Sequence, residues 1–202
     1  MSSMKRNDDG FTGLEAAIVL IAFVVVAAVF SYVVLGAGFF TTQKAQQSVY
    51  SAVGQTTSAL QIVGNVYGMV NTSYLANNVS IVNFNIALTA GGTPVDMTKA
   101  VLVYSDANQL ITLQAPTTWT ATGNPAMVST GGSWAVSSDQ NSPTGSFTGS
   151  LQPNEQYTVT CFISSGIGPN DQFHIEIRPA IGPAFSITRT IPGSLSAVNL
   201  LS

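Results

Sequence analysis

The side chains that most often carry chemistry are few and widely spaced in this 202-residue sequence. The only histidine, His174, alternates with Glu176 and Arg178 in FHIEIR, which places all three on one face of a strand. We interpret this group as a solvated strand face rather than a catalytic or ligand cluster. No G-x-S-x-G sequence marks a nucleophilic serine, and no G-x-x-x-x-G-K-[ST] loop is present to hold phosphate. The sequence therefore predicts no catalytic site, no enzyme activity and no cofactor.

Acidic loop residues and one cysteine are the remaining candidates for metal or thiol chemistry. The loop acids are Asp96, Asp106, Asp139 and Asp171. None has the D-x-D spacing of a calcium loop, so we expect no metal site, with a cation held between loops as the alternative. A single cysteine, Cys161, excludes an intramolecular disulfide. It is in phase with Val159 and Ile163, which predicts a small buried side chain on a strand, with a reactive thiol or an intermolecular crosslink as the alternative.

The N-terminus indicates chemistry that is performed on the chain itself. Residues 1–10, MSSMKRNDDG, are short and polar, and Phe11 then begins an apolar run whose only charge is Glu15. A secretory signal has an apolar stretch of 7–15 residues with its cleavage site behind it, and this run is longer. A cut after Gly10, ahead of the run, fits better. Cleavage behind the run, within residues 35–38, and an uncut signal anchor are the alternatives.

The order of these residues resembles a known processing signal. Basic residues, then Gly10, Phe11 and Glu15, then a long apolar run resemble the class III signal of type IV pilins and archaeal flagellins (archaellins). The string FTGLEAAIVLIAFVVVAAVFSYVVLGAGFF is very similar to the archaellin N-terminal signature. The resemblance is strong over residues 5–50 and general over the rest. It implies removal of residues 1–10 by a membrane aspartic prepilin-type signal peptidase acting after Gly10.

A long helix must carry Phe11 and Glu15. Residues 14–40 contain no proline and are apolar all round, which predicts a helix buried in lipid or protein. The uncharged residues 16–40 exceed the roughly 20 that a bilayer requires. Further on, Val49, Val53, Leu60, Val63 and Tyr67 follow helical spacing. We therefore predict that residues 11–68 form one N-terminal helix whose second half packs on the C-terminal domain.

Glu15 is expected to take part in assembly. Cleavage would give Phe11 an α-amino group, and Glu15 lies one helical turn away. We hypothesise that the Glu15 carboxylate compensates this amine, in its own or a neighbouring chain, while subunits dock, because an unpaired buried carboxylate is costly. The alternative is an interfacial acid in the first turn of the helix, favoured by the helix dipole.

Residues 69–202 change to a period of two. Candidate strands are NVSIVNFNIALT, MTKAVLVYS, NQLITLQA, SWAVSS, EQYTVTCFIS, DQFHIEIRP and AFSITRTI. Gly, Pro, Asn and Asp separate them, so the predicted fold class is α+β, a long hydrophobic helix followed by an antiparallel, immunoglobulin-like β-sandwich. Asn71-Thr72-Ser73 and Asn78-Val79-Ser80 are N-glycosylation candidates on the surface of an exported domain.

Charge is scarce, at 7% of residues against a usual share of roughly 25%. Six Lys and Arg residues are scattered and the net charge is −3, so we expect no nucleic-acid partner. The resemblance implies a structural subunit of an extracellular archaellum filament for swimming, assembled from copies of itself and from minor flagellin paralogues. It further implies a precursor held in the cytoplasmic membrane, and assembly by a cytoplasmic ATPase and a membrane platform protein. An adhesive archaeal type IV pilin and a monomeric, membrane-anchored binding domain are the alternatives.

Overall fold

The computed structural model describes residues 8–72, 75, 77–116, 131–142 and 148–202, and for residues 8–12 the backbone alone. One helix, α1 (Asp8–Thr57), precedes all the strands. The strands are β1 (Leu60–Val70), β2 (Val79–Leu88), β3 (Val95–Asp96), β4 (Val101–Asp106), β5 (Leu110–Leu113), β6 (Gly132–Gln140), β7 (Ser150–Leu151), β8 (Gln156–Ile167), β9 (Gln172–Arg178), β10 (Phe185–Thr190) and β11 (Val198–Leu201). Two compact units result, residues 1–51 and residues 52–202.

Helix α1 runs without interruption for 50 residues, about 75 Å at 1.5 Å per residue. It contains no proline, and its backbone remains helical through Gly36 and Gly38. Two hydroxyl groups that follow these glycines bond back into the helix, Thr41 Oγ1 to Ala37 O at 2.8 Å and Thr42 Oγ1 to Gly38 O at 2.9 Å. These two hydroxyl groups are thereby satisfied within the helix itself.

The strands of residues 52–202 form two main antiparallel sheets. Sheet A has five strands in the order β11-β1-β2-β8-β6, and sheet B has four in the order β10-β9-β4-β5. Strands β3 and β7 form a small third pair. Alternate residues of both main sheets are buried, as a period of two dictates. The predicted combination of one long apolar helix and an antiparallel β-sandwich is confirmed.

One hydrophobic core joins the two main sheets. Its largest fully buried side chains are aromatic and aliphatic residues of both sheets: Trp134, Tyr104, Tyr157, Phe84, Phe173, Ile86, Leu102 and Ile163. The rings of Tyr104 on β4 and Phe173 on β9 are stacked, with centroids 6.2 Å apart. Burial of this apolar surface stabilises the sandwich by roughly 25 cal/mol per Å².

The helix is shorter than predicted. It ends at Thr57, and residues 60–68, which the sequence analysis placed in the helix, belong to strand β1 (Leu60–Val70). Val49 and Val53 do lie in α1, but Leu60 and Val66 are core residues of β1 and Tyr67 is on the strand's other face. The apolar residues of this stretch are too few for their spacing to distinguish a helix from a strand. Pairing of β1 with β2 on one side and β11 on the other decides the outcome, as tertiary context commonly overrides local preference.

Candidate assembly surface

Helix α1 exposes apolar side chains on every side within residues 14–40, and further ones at Val49, Tyr50 and Val53. Each large apolar side chain of this stretch, from Leu14 to Val53, is between 52% and 80% exposed. The segment Gly13–Thr57 is long and apolar enough to cross a membrane. A soluble monomer rarely exposes such a continuous apolar surface, and larger exposed patches mark contacts with protein or membrane. We therefore expect this surface to contact protein or membrane.

Two charged residues lie at the two ends of the apolar run of the helix. Glu15 lies near the N-terminal end and Lys44 follows the apolar run, with no charged residue between them. Both side chains are exposed. Lys44 Nζ donates to Gln47 Oε1 at 3.2 Å and lies 5.9 Å from the centroid of the Phe40 ring. The apolar segment is thus bounded by an acid at one end and a base at the other.

The predicted processing site lies at the start of α1. The backbone of Gly10 and Phe11 is helical, and the side chain of Phe11 lies outside the described residues, as do Lys5 and Arg6. Glu15 lies four positions after Phe11, on the same side of the helix. The predicted contact between Glu15 and the Phe11 amine of a processed chain remains a prediction.

The end of α1 is fixed within the sandwich unit by a close-packed neck, which we define as Thr57, Ser58, Gly92, Thr93 and Gly182. Ser58 is buried; its Oγ donates to the carbonyl of Gly54 at 2.6 Å and lies 2.6 Å from Thr93 Oγ1. A Cβ on Gly92 would lie 3.0 Å from the carbonyl oxygen of Thr57. Gly182 has φ +111°, and a Cβ there would collide with the carbonyl oxygen of Ser58.

Both candidate sequons begin at half-buried asparagines beside the ends of β1 and β2. Asn71 donates its backbone N–H to Ser80 Oγ at 3.3 Å, and Ser80 is fully buried. Asn78 precedes β2, and a Cβ on Gly166 would approach its Cβ to 2.8 Å. Ser73, the third residue of the first sequon, lies outside the described residues. Glycosylation at Asn71 and Asn78 remains a prediction.

Two predicted structural roles in the sandwich are confirmed. Cys161 is a free, fully buried cysteine in β8, and burial raises the pKa of its thiol far above the usual range. His174 lies on the outer face of β9, where its Nδ1 is 2.9 Å from Thr188 Oγ1. On the same strand Arg178 donates to Glu176 at 2.7 Å, and both side chains are partly exposed. These residues form a polar strand face.

The loop acids do not converge. Within the described parts of the chain, no three His, Cys, Asp or Glu side chains come close enough to hold a metal ion. Asp106 serves a turn instead: it accepts hydrogen bonds from Tyr104 Oη at 2.8 Å and from the backbone N–H groups of Asn108 and Gln109. Burial alone would raise the pKa of Asp106, but these hydrogen bonds lower it below its usual value.

Sequence reasoning missed a buried carboxyl group. Glu155 precedes β8 and is 1% exposed, and its Oε2 accepts the N–H of Gln152 at 2.6 Å. Burial raises the pKa of Glu155, and the neighbouring carboxyl of Asp139 raises it further, although the Gln152 hydrogen bond acts in the opposite direction. The sequence signal was weak, because QPNEQ is a turn and turn acids are usually solvated.

Comparisons with known proteins agree with this architecture. A family described as archaeal-type flagellin matches residues 10–189. Probable flagellin 1 of Archaeoglobus fulgidus is 39% identical over 205 residues, which cover 97% of this chain and 96% of that protein. These matches include the helix and nearly all of the strands.

Solved structures match the same two parts. The archaeal flagellum of Methanospirillum hungatei strain JF1 has a TM-score of 0.70 and 33% identity, over 94% of this chain and 99% of that chain. The crystal structure of archaeal flagellin FlaB1 from Methanocaldococcus jannaschii has a TM-score of 0.57 and 17% identity, over 70% of this chain and 95% of that chain. The second likeness is one of fold alone.

Proposed function

The chain belongs to the archaeal-type flagellin family and is a structural subunit of an archaeal flagellum filament; we propose that α1 builds the core of this filament by packing against copies of itself. The observation that carries the proposal is the exposed apolar surface of residues 14–40. The filament serves swimming, and the sandwich forms its outer layer.

Packing of α1 against copies explains how one helix suits two surroundings. In lipid, every backbone polar group of a helix must be bonded internally, which an uninterrupted 50-residue helix achieves. Transfer into a bundle exchanges one apolar environment for another. The free-energy difference between helix in lipid and helix in the bundle is therefore set by how closely the helices pack. Small residues at 16–17, 27–28 and 36–38 allow helices to approach closely. A heterologous contact that does not close then generates a helical filament, which also admits minor flagellin paralogues.

Processing frees the chain for assembly. A prepilin-type signal peptidase removes residues 1–10, and Phe11 becomes the mature N-terminus. Before this cut the precursor is held in the cytoplasmic membrane by α1, with the sandwich outside. An archaellum ATPase and its membrane platform then drive assembly. Support comes from the family and from the sequence around Gly10.

Glu15 compensates the new α-amino group of Phe11 during docking. The amine has a usual pKa of about 8, so it is cationic at neutral pH, and Glu15 is the one acid in residues 13–57. Once copies surround the helix end, two neighbouring opposite charges cost less than either charge alone. The contact forms within one chain or between neighbours.

The two sequons would place glycans on the outer domain. Asn71 and Asn78 both lie at the end of sheet A where β1 ends and β2 begins. Intact-mass analysis of the native protein, with Asn71→Gln and Asn78→Gln as controls, measures whether each is occupied.

Mass analysis of sheared surface filaments tests the whole proposal. We expect intact filaments whose subunit begins at Phe11, and their loss should abolish swimming while attachment of the cells persists. Subunits that begin at Met1 and are recovered only as detergent-extracted monomers would overturn it in favour of a membrane-anchored domain. Loss of attachment with swimming intact would instead favour an adhesive pilin.

A further inference from the structure

The two main sheets differ in the charge of their outer surfaces. Sheet B carries three charged or titratable side chains, His174, Glu176 and Arg178, on the outer face of β9. In sheet A, four adjacent strands, β11, β1, β2 and β8, contain no Lys, Arg, His, Asp or Glu. A sandwich that water surrounds on all sides has no reason to keep one side free of charge, because charged side chains favour solvent.

The uncharged side also exposes a cluster of apolar side chains, which we call the β11–β1 face. It consists of Tyr67 and Met69 on β1, Ile81 on β2, and Val198 and Leu200 on β11. The register brings them together: Tyr67 is opposite Leu200, and Met69 lies between Val198 and Ile81. Val198 and Leu200 are 56% and 58% exposed, whereas their neighbour Leu201 points into the core.

We propose that the β11–β1 face packs against a second copy of this chain in the assembled filament, as a contact between outer domains separate from the α1 core. This inference rests on the proposed function. Tyr and Met are enriched at the buried centres of protein interfaces, while Lys, Glu and Asp are depleted, and the β11–β1 face has this composition. Sheet B, with its charged β9, faces solvent.

A second copy is the occupant that the charge pattern favours. Identical subunits carry identical charges, so a charged face that meets its own copy, or passes close to it, risks like-charge repulsion. A face without charge avoids this cost in every arrangement of copies. Polymerisation through α1 also holds outer domains close together, so even a modest apolar contact is occupied at the high effective concentration of a tethered pair.

Cysteine accessibility tests the proposal, because the only native thiol, Cys161, is fully buried and gives no background. Leu200→Cys introduces a thiol on the β11–β1 face. Leu110→Cys is the matched control, since Leu110 is 73% exposed on β5, an edge strand of sheet B. Each variant is treated with a charged maleimide as intact filaments and again after dissociation in detergent.

We expect the thiol of Leu200→Cys to react at least about tenfold more slowly in filaments than after dissociation, as for a group that reacts only when its contact opens. The thiol of Leu110→Cys should react equally in both states. Equal reactivity of the Leu200→Cys thiol in both states would overturn the proposal while leaving the α1 core intact. Absence of wild-type filaments would instead refute the proposed function.

Three further measurements test whether a glycan covers this face and guard against a variant that does not assemble. Protection that disappears when Asn71→Gln and Asn78→Gln are added would assign the cover to a glycan and overturn the proposal. Val198→Cys, on the same strand, repeats the measurement if the variant at residue 200 does not assemble. Leu200→Asn should lower the temperature at which filaments dissociate, while Leu110→Asn leaves it unchanged; equal temperatures for both variants contradict the proposal.

Discussion

At the scale of single residues, two carboxyl groups have the most distinctive chemical environments in this subunit. Glu15 is exposed at the start of an apolar helix, and Glu155 is buried at the start of β8. The first was found from sequence because an acid in a long apolar run is conspicuous. The second was not, because only the fold buries the turn that contains it. A carboxyl group that is buried, as Glu155 is, must find a partner or a proton.

Glu15→Gln should reduce assembly. Gln retains the size of the side chain but removes the negative charge that we propose compensates the Phe11 amine. Leaving one member of a buried ion pair costs about 3–5 kcal/mol, which corresponds to a loss of about a hundredfold or more in the yield of sheared filaments per cell, at 1.4 kcal/mol per factor of ten. Lys44→Gln, which removes the helix's other charge beyond the apolar run, is the control. A normal filament yield for Glu15→Gln would exclude the docking role.

Glu155→Gln should change how stability depends on pH. The folded-state pKa of Glu155 is raised, so the stability that its protonated form contributes is present below the usual carboxyl pKa of 4.5 and is lost as pH rises through the folded pKa. Above that folded-state pKa the wild type holds a buried carboxylate beside Asp139, whereas Gln still accepts the Gln152 hydrogen bond without charge. At such a pH the Tm of Glu155→Gln should exceed that of the wild type by about 2–4 °C, the shift that roughly 1 kcal/mol produces.

The advantage of Glu155→Gln should disappear below about pH 4.5, where the wild-type side chain is also neutral in both states. Thermal unfolding of the detergent-solubilised full chain, followed by near-UV circular dichroism, measures both values. Glu176→Gln on the exposed face of β9 is the control and should not raise Tm. A pH-independent gain would show that packing, rather than protonation, is responsible.

At the scale of elements, strong periodicity was predictive and long-range pairing was not. Seven stretches read as strands from the sequence correspond to β2, β4, β5, β6, β8, β9 and β10. The sequence did not predict β1 and β11, which pair with each other at one edge of sheet A. Strand β1 contains Gly64 at φ +82° with a register shift beside it, which breaks the alternation that a sequence pattern requires. Strand β11 has four residues, too few for a period to be recognised.

Gly182→Ala should destabilise the neck. The residue has φ +111°, and its Cβ would meet the carbonyl oxygen of Ser58, which is backbone and cannot rotate away. Gly91→Ala is the matched control, because Gly91 also has positive φ but open space around it. The control should lose about 1–2 kcal/mol from backbone strain alone, and Gly182→Ala about 1–3 kcal/mol more from overpacking. Denaturant unfolding of the solubilised chain measures the free energy of unfolding of both variants. Equal losses would mean that the backbone of the neck shifts to accommodate the new Cβ.

At the scale of the whole molecule, the scarcity of charge sets how the filament responds to its surroundings. Among the described residues, the ion pairs are Lys99 with Asp96 and Arg178 with Glu176, both between close neighbours in sequence and partly exposed. Such pairs contribute little to stability. The contacts that we propose between subunits, through α1 and the β11–β1 face, are apolar, so ion pairs contribute little to them.

Filament stability should depend weakly on salt. The temperature at which sheared filaments dissociate should stay within a few degrees between about 0.05 and 1 M NaCl, although the Debye length falls from more than 10 Å to roughly 3 Å over this range. Static light scattering during heating follows dissociation. A steep fall in dissociation temperature with added salt would mean that ion pairs between subunits, rather than apolar contacts, hold the polymer together.

The neck has a mechanical consequence. Only Ser58 and Ala59 separate the end of α1 from the start of β1, and Ser58 is clamped between Thr93 and Gly182. A propeller works by passing torque from its shaft to the surface that pushes on the fluid. The connection is short and tightly packed, so it has little torsional flexibility. Torque that reaches the last turn of the helix is therefore transmitted to the sandwich and is not lost in a flexible linker.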